Sequence, residues 1–141
     1  MRILALALIA SAASAIGSCT AVPPAQTAAI QAREQARLAQ LTAGKIAGPT
    51  TDCLPTYRAN DMVVVNDNTI AFKQGRRLFV NNMQGSCYGL DRGTTALVTR
   101  TPSTQLCRGD IATLVDTSTR VAVGSCVFGD FVPYTPTGMR Y

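Results

Sequence analysis

The residues that could perform chemistry in this chain are five cysteines and a few carboxylates, because histidine is absent. Without histidine the commonest general base is missing, and a Ser-His-Asp triad cannot be built. Paired carboxylates could catalyse glycoside hydrolysis, and the candidate pairs are Asp61 with Asp67 and Asp110 with Asp116. Both pairs fit turns and strand ends equally well. We therefore expect structural roles for these carboxylates and no enzymatic activity.

Metal binding is the second chemistry that these residues could support. Zinc sites usually contain closely spaced cysteines, often with histidine, and no two cysteines of this chain lie close together. Calcium could be bound by oxygen ligands, but the candidates lack the spacing and the glycine of a calcium loop and fit a hairpin turn better. These candidates are Asp61, Asn66, Asp67 and Asn68. We predict no metal site and no cofactor.

Cys19 ends an apolar N-terminal run that has the layout of a secretory signal, with Arg2 at its start. The run is shorter than the roughly 20 apolar residues of a membrane span. The sequence Ile16-Gly17-Ser18-Cys19 resembles a bacterial lipobox, which implies cleavage before Cys19 and lipidation of its thiol. Thr20 follows instead of Asp, so the resemblance implies the outer membrane, on its periplasmic face. The alternative is cleavage after Ala13-Ser14-Ala15, which would give a soluble periplasmic protein.

Four cysteines remain if Cys19 carries lipid, and an even number suits an oxidising compartment. A small β domain needs such cross-links, because burial alone gives it about 3–5 kcal/mol. Four cysteines allow three pairings, and the sequence does not select one. We favour a nested pair, Cys87 with Cys107 and Cys53 with Cys126, because it joins the first and last elements. Reduced entropy of the unfolded chain would make these bridges worth about 3 and about 4.5 kcal/mol.

The composition divides the chain into four parts. They are a signal peptide at 1–18, a lipid-anchored helical tether at 19–51, a disulfide-bonded β domain at 52–134 and a disordered tail at 135–141. Within the tether, strong helix formers run from about Ala25 to Leu41 before Gly44. Its alanines recur every three or four residues, which suits a solvated spacer or a helix pair between two chains. We favour the spacer.

The β domain is predicted from six short runs rich in branched and aromatic residues. In one of them Ile70 and Phe72 should face one way, and Ala71 the other. Asn66-Asp67-Asn68 and Gln74-Gly75 are hairpin signals. We predict a mainly β fold, a small antiparallel meander curled into a barrel or half-barrel, with two disulfides and one preceding N-terminal helix. The six runs are MVVVND, TIAFKQ, RRLFVNNM, TTALVTR, IATLVD and RVAVGSCVF.

Three short motifs in this domain carry a resemblance to a known family. They are C-Y-G-L at Cys87–Leu90, L-C-R-G-D at Leu106–Asp110, and a closing cysteine followed by F-G-D-F at Phe128–Phe131. The region from Cys53 to about Tyr134 resembles an uncharacterised family of small proteobacterial exported proteins, a domain of unknown function. The resemblance implies export and paired cysteines, and it implies no activity.

Four residues are candidate contacts for a partner. Arg76 and Arg77 form the only adjacent basic pair, and Phe131 and Tyr134 belong to an aromatic group near the C-terminus. The aromatic group could be a sticky edge for a partner or a final strand that covers the end of the barrel. Basic residues do not form a dense run interleaved with aromatics, so we expect no nucleic-acid binding.

The function that these features favour is that of a non-enzymatic outer-membrane lipoprotein. The membrane would be contacted through the N-terminal lipid, and the β domain would bind an envelope protein or a cell-wall glycan. The alternative is a periplasmic inhibitor of a cell-wall hydrolase, similar to lysozyme inhibitors. The net charge of +5 disfavours that alternative, because lysozymes are themselves basic and long-range steering would be repulsive.

Overall fold

A computed structural model of the chain describes residues 23–54, 61–101 and 104–138. Within these ranges one α-helix, α1 (Pro24–Thr42), precedes eleven short strands. No helix in the described ranges is long and apolar enough to cross a membrane. The strands are β1 (Lys45–Ala47), β2 (Cys53–Leu54), β3 (Met62–Val64), β4 (Thr69–Gln74), β5 (Arg77–Asn82), β6 (Gln84–Ser86), β7 (Thr95–Thr99), β8 (Leu106–Cys107), β9 (Ile111–Asp116), β10 (Ala122–Val127) and β11 (Phe131–Pro136).

All strand pairs are antiparallel, and they form two main sheets and one small one. The first sheet has the order β1-β11-β5-β4-β3, the second has β6-β10-β9-β7, and β2 pairs with β8. The predicted antiparallel β fold with a preceding helix and two disulfides is confirmed. No barrel closes among the described strands, because the two main sheets pack as layers and keep their edges. The meander is restricted to β3-β4-β5, since later strands return beside earlier ones.

The hairpin signals lie where the sequence predicts them. Gly75 joins β4 to β5 with φ +60°, a left-handed conformation that glycine adopts without a side-chain clash. The Asn66 side-chain oxygen accepts hydrogen bonds from the N–H groups of Asn68 (2.9 Å) and Thr69 (2.6 Å). Both turns therefore follow from local side-chain chemistry.

The main core lies between the two sheets. The inward face of the first sheet and the inward face of the second pack into one cluster, joined by residues of the small sheet and the loops. Because successive side chains of a strand point to opposite faces of its sheet, the neighbours of these core residues lie on the outer faces. The prediction that Ile70 and Phe72 share a face is confirmed. The central members of the cluster are Ile70, Phe72, Phe79, Leu54, Leu106, Ala112, Leu114, Cys126, Phe128 and Phe131.

Helix α1 covers the outer face of the first sheet. Leu38 and Leu41 pack against a second buried cluster, which consists of Val65, Ala71, Leu78 and Val80. A side-chain hydrogen bond from Asn66 Nδ2 to Glu34 Oε2 (3.0 Å) adds a polar contact. The expectation of a solvated spacer is therefore wrong at Leu38 and Leu41, which reach the sheet, although most other residues of the helix are exposed.

The sheet extends beyond the predicted domain bounds at both ends. Strand β1 pairs with β11 in a register that places Ile46 opposite Thr135. The N–H of Thr137 donates a hydrogen bond to the carbonyl of Gly44 (3.1 Å). Residues 135–138, predicted to be disordered, are thus ordered by strand pairing, and 139–141 lie outside the described residues.

The disulfides are Cys53–Cys107 and Cys87–Cys126, so the favoured nested pairing is wrong. Strand register explains the choice. Cys53 lies directly opposite Cys107 in the β2–β8 pair, with 3.9 Å between their α-carbons. Cys126 lies opposite Gly85, two residues before Cys87. Each observed bridge should contribute about 4 kcal/mol by loop entropy, a sum close to that of the rejected pairing, so entropy could not discriminate.

Candidate binding face

Strand β9 has one buried face and one bare face. Ala112 and Leu114 point into the core and are fully buried, whereas Ile111 is 59% exposed. The alternating side-chain direction places Thr113 and Val115 on the same outer side as Ile111, and both are half-buried. The strand is therefore apolar on both faces, although the protein itself covers only one of them.

Neighbouring strands extend this outer surface. The β7–β9 register places Val98, which is 42% exposed, beside Thr113. The β9–β10 register places Val127 beside Ile111 and Ser125 beside Thr113. The resulting surface is small, branched and mostly apolar, and we call it the bare face. It consists of Ala96, Val98, Ile111, Thr113, Val115, Ala122, Ser125 and Val127.

A groove of about 540 Å³ lies on the bare face. Five bare-face residues, Val98, Ile111, Thr113, Val115 and Ala122, line it together with the two arginines Arg100 and Arg120. The described lining residues include no carboxylate. The groove thus combines an apolar floor with positive charge. We call Arg100 and Arg120 the arginine pair.

The arginine pair lies at opposite ends of β9. Arg100 comes one residue after Thr99, which pairs with Ala112 near the start of β9. Arg120 lies in the β9–β10 turn, where its N–H donates to the carbonyl of Asp116 (2.8 Å). The five residue steps from Ile111 to Asp116 correspond to about 17 Å along a strand. The two positive groups therefore bracket the apolar floor lengthwise.

A polar turn holds Arg120 in place. The Asp116 carboxylate accepts hydrogen bonds from the N–H groups of Ser118 (2.9 Å) and Thr119 (2.7 Å) and from the Thr119 hydroxyl (3.0 Å). The bonds from Thr119, with a smaller effect from Ser118, lower the pKa of Asp116 because they favour its charged form. Arg120 has φ +59°, which a residue with a side chain adopts only where its surroundings impose it.

The predicted basic contact residues lie elsewhere. Arg77 pairs with Gln74 at the β4–β5 hairpin of the first sheet, and both Arg76 and Arg77 are exposed. Neither lines the groove on the bare face. They provide two solvated positive charges at the end of a hairpin, and they serve as a natural comparison for the arginine pair.

Of the two predicted aromatic contacts, Phe131 is not available to a partner. Phe131 is fully buried, and its ring lies 6.3 Å from that of Phe128 and 6.1 Å from that of Phe72. Tyr134 is half-buried against the cluster beneath the helix. Strand β11 is not an edge, because β1 and β5 flank it. The sticky-edge hypothesis is therefore wrong for Phe131, whose role is to fill the core.

The F-G-D-F motif has a structural explanation. A Cβ on Gly129 would collide with the carbonyl oxygen of Asn82, so only glycine fits. Buried Asn81 donates from Nδ2 to the carbonyls of Gly129 (2.7 Å) and Asp130 (3.2 Å), and its Oδ1 accepts from the Gly129 N–H (3.2 Å). The Asp130 carboxylate forms an ion pair with Arg108 (3.3 Å). The motif fastens the β10–β11 connection to the core.

Three of the four carboxylates considered for catalysis, Asp67, Asp110 and Asp116, accept hydrogen bonds from backbone N–H groups. Asp67 accepts hydrogen bonds from the N–H groups of Gly89 (2.9 Å) and Asp91 (3.2 Å). Asp110 accepts one from the N–H of Cys107 (2.7 Å). Burial, followed by a hydrogen bond and the charge of Asp67, raises the pKa of Asp91. The described residues contain no group of three or more His, Cys, Asp or Glu suited to a metal ion.

Sequence reasoning missed the bare face, although one signal for it was present. The run IATLVD has four apolar residues in six, and they fall on both faces of the strand, which is typical of a strand that is covered on both sides. Cys19 and the signal segment lie outside the described residues, so lipidation stays a prediction.

Comparison with family models, with curated proteins and with solved structures finds no match to this chain.

Proposed function

We propose that this protein is a non-enzymatic binding module of the bacterial envelope that uses the bare face to hold a partner. A lipid on Cys19 would anchor it at the periplasmic face of the outer membrane. The observation that carries the proposal is the apolar groove between two arginines on an uncovered sheet. Contiguous apolar patches larger than roughly a few hundred Å² are rare on monomeric proteins and mark interaction sites.

The roles of the five cysteines support a periplasmic location. Two disulfides use Cys53, Cys107, Cys87 and Cys126, which leaves Cys19 as the one cysteine of the sequence outside them. Stable disulfides are characteristic of oxidising compartments such as the periplasm. A single remaining cysteine after a signal-like run is the arrangement that lipidation requires.

Anchoring can be tested by membrane fractionation and intact-mass measurement. We expect the wild-type chain in the outer-membrane fraction, with a mass that includes acyl chains and begins at Cys19. Cys19→Ser should release the protein into the soluble periplasmic fraction with its disulfides intact. A wild-type mass without acyl chains would contradict the anchoring half of the proposal.

Binding at the bare face can be tested by photo-cross-linking in intact cells. A photoreactive residue at Thr113, the centre of the bare face, should give one discrete adduct, and Val98→Asp beside it should abolish that adduct. The matched control is the same residue at Lys73, an exposed position on β4 of the first sheet. Absence of an adduct at Thr113, or equal adducts at both positions, would contradict the binding function.

The alternative function, inhibition of a basic cell-wall hydrolase, is not favoured by this surface. A cationic enzyme would meet two arginines and no described carboxylate in the groove. Like charges across an interface slow association and weaken the complex. The bare face therefore suits an anionic partner better than a lysozyme-like one.

A further inference from the structure

We infer that the bare face binds an acidic segment of a partner protein, with an apolar middle and a carboxylate-bearing residue near each end. The inference rests on the proposed function and specifies the partner chemistry of the same surface. It follows from the charge of the groove, the position of the arginine pair and the nature of the floor.

The positive charge of the groove favours an acidic ligand. Arg100 and Arg120 are exposed, and neither forms an ion pair with any residue in the described ranges. The carboxylates at the two ends of β9, Asp110 and Asp116, already accept backbone hydrogen bonds in their own turns. The arginine pair therefore has charge and donors to offer a carboxylate, for which the planar guanidinium is well suited.

The spacing of the arginine pair favours a long ligand. The arginine pair brackets a floor of about 17 Å, which corresponds to about five residues of extended chain or about eleven residues of helix. A ligand that satisfies both arginines must carry its negative groups apart, with apolar groups between them. An amphipathic polypeptide segment has this pattern, whereas a single small anion could contact only one end.

The remaining occupants fit less well. A second copy of this chain would place arginines against arginines, which is repulsive. A lipid surface would attract exposed arginines wherever they lie, including Arg76 and Arg77, and an open groove on a sheet does not enclose an acyl chain. A protein segment uses the apolar floor and both charges together, so it is the occupant that the observations favour.

The test uses the lipidated full-length chain in detergent and two synthetic fluorescent peptides. One peptide has two Asp residues at each end and alternating Val and Thr between them. The second peptide is identical except that Lys replaces each Asp. We expect the Asp peptide to bind at least about tenfold more tightly than the Lys peptide by fluorescence anisotropy at low salt. Raising the salt concentration should weaken its binding, because the arginine pair is exposed.

Charge reversal supplies the matched control. Arg100→Glu with Arg120→Glu should weaken binding of the Asp peptide at least about tenfold, while Arg76→Glu with Arg77→Glu should leave it unchanged. The net charge change is the same in both double variants. Arg100→Gln with Arg120→Gln provides a milder pair, and intact disulfides with unchanged circular dichroism show that each variant is folded.

Several outcomes would overturn the inference. Equal affinity for both peptides would show an apolar site without charge selection, which leaves the proposed binding function standing. Equal losses in the two double variants would show only general electrostatic attraction. Flotation of the Cys19→Ser chain with vesicles containing phosphatidylglycerol that depends on the arginine pair, without peptide binding, would assign the face to a membrane. Failure of both peptides would also reject the inference, while photo-cross-linking at Thr113 decides the proposed function separately.

Discussion

The outer faces of the two main sheets are similar in composition, but helix α1 covers one of them and the other is exposed. On the first sheet, Leu78 and Val80 are almost completely buried beneath the leucines of helix α1. On the second sheet, Val98 and Ile111 occupy the corresponding outer layer and remain exposed. Both faces are made of branched apolar residues, so strand composition does not separate them. The difference teaches that a few covering side chains, here Leu38 and Leu41 of the helix together with Tyr134, turn an apolar sheet face into a second core.

The largest expected effect comes from truncating one side chain on each face of strand β9. Leu114→Ala should lower the free energy of unfolding by about 3 kcal/mol, because it opens a cavity in the main core. Ile111 is an isomer of leucine and lies on the bare face, so Ile111→Ala should lower the free energy of unfolding by less than about 1 kcal/mol. Urea denaturation measures both. Equal losses would mean that the bare face is covered and structural.

The helix cover can be removed without deleting the helix. Leu38→Ala with Leu41→Ala should lower the free energy of unfolding by about 2 kcal/mol, because both half-buried side chains contact the cluster beneath the helix. The control is Ile30→Ala on the same helix, where the side chain is 53% exposed, with an expected change within about 0.5 kcal/mol. A double variant as stable as wild type would show that the helix does not contribute to the fold.

A glycine at position 120 should separate stability from binding. Arg120 adopts a left-handed backbone conformation that glycine tolerates, so Arg120→Gly should raise the free energy of unfolding by about 1 kcal/mol. The same change should weaken binding of the Asp-ended peptide, because one end of the groove loses its charge. A less stable Arg120→Gly protein would show that the arginine side chain supports the fold.

The smallest expected effect concerns the turn that positions Arg120. Hydrogen bonds from Thr119 and Ser118 lower the pKa of Asp116 in the folded chain below the ordinary value of 3.8. The ionised carboxylate therefore contributes stability above pH 3.8, and this contribution is lost as the pH falls through the lowered pKa. Asp116→Asn should lower the thermal midpoint slightly at pH 7, and the difference from wild type should shrink as the pH falls below 3.8. A difference independent of pH would contradict the assignment.

Sequence reasoning predicted the elements with strong local signals. Six apolar runs became strands, two turn motifs became hairpins, and the alternation of Ile70, Ala71 and Phe72 was correct. Elements without local periodicity were missed, such as the two-residue strands β2 and β8. The final strand, β11, lies between β1 and β5. Its residues Pro133 and Pro136 would argue against such a central position.

Tertiary pairing and exposure could not be predicted from the same signals. The disulfide pairing depends on which strands meet, and loop entropy changes too slowly with length to choose among the possibilities. The burial of Phe131 and the exposure of Ile111 also depend on which layer lies above each strand. An aromatic and a branched residue look equally suited to a core or to a contact surface until that layer is known.

Carbene footprinting of the purified chain and of intact cells tests most directly whether the bare face is free in the protein and occupied by a partner. Val98 and Ile111 should be heavily modified in the purified chain and protected in cells, while Leu78 and Val80 should stay unmodified in both. Equal modification of Val98 and Ile111 in cells would mean that no partner covers the face. Protection already present in the purified chain would mean that the protein covers the face itself.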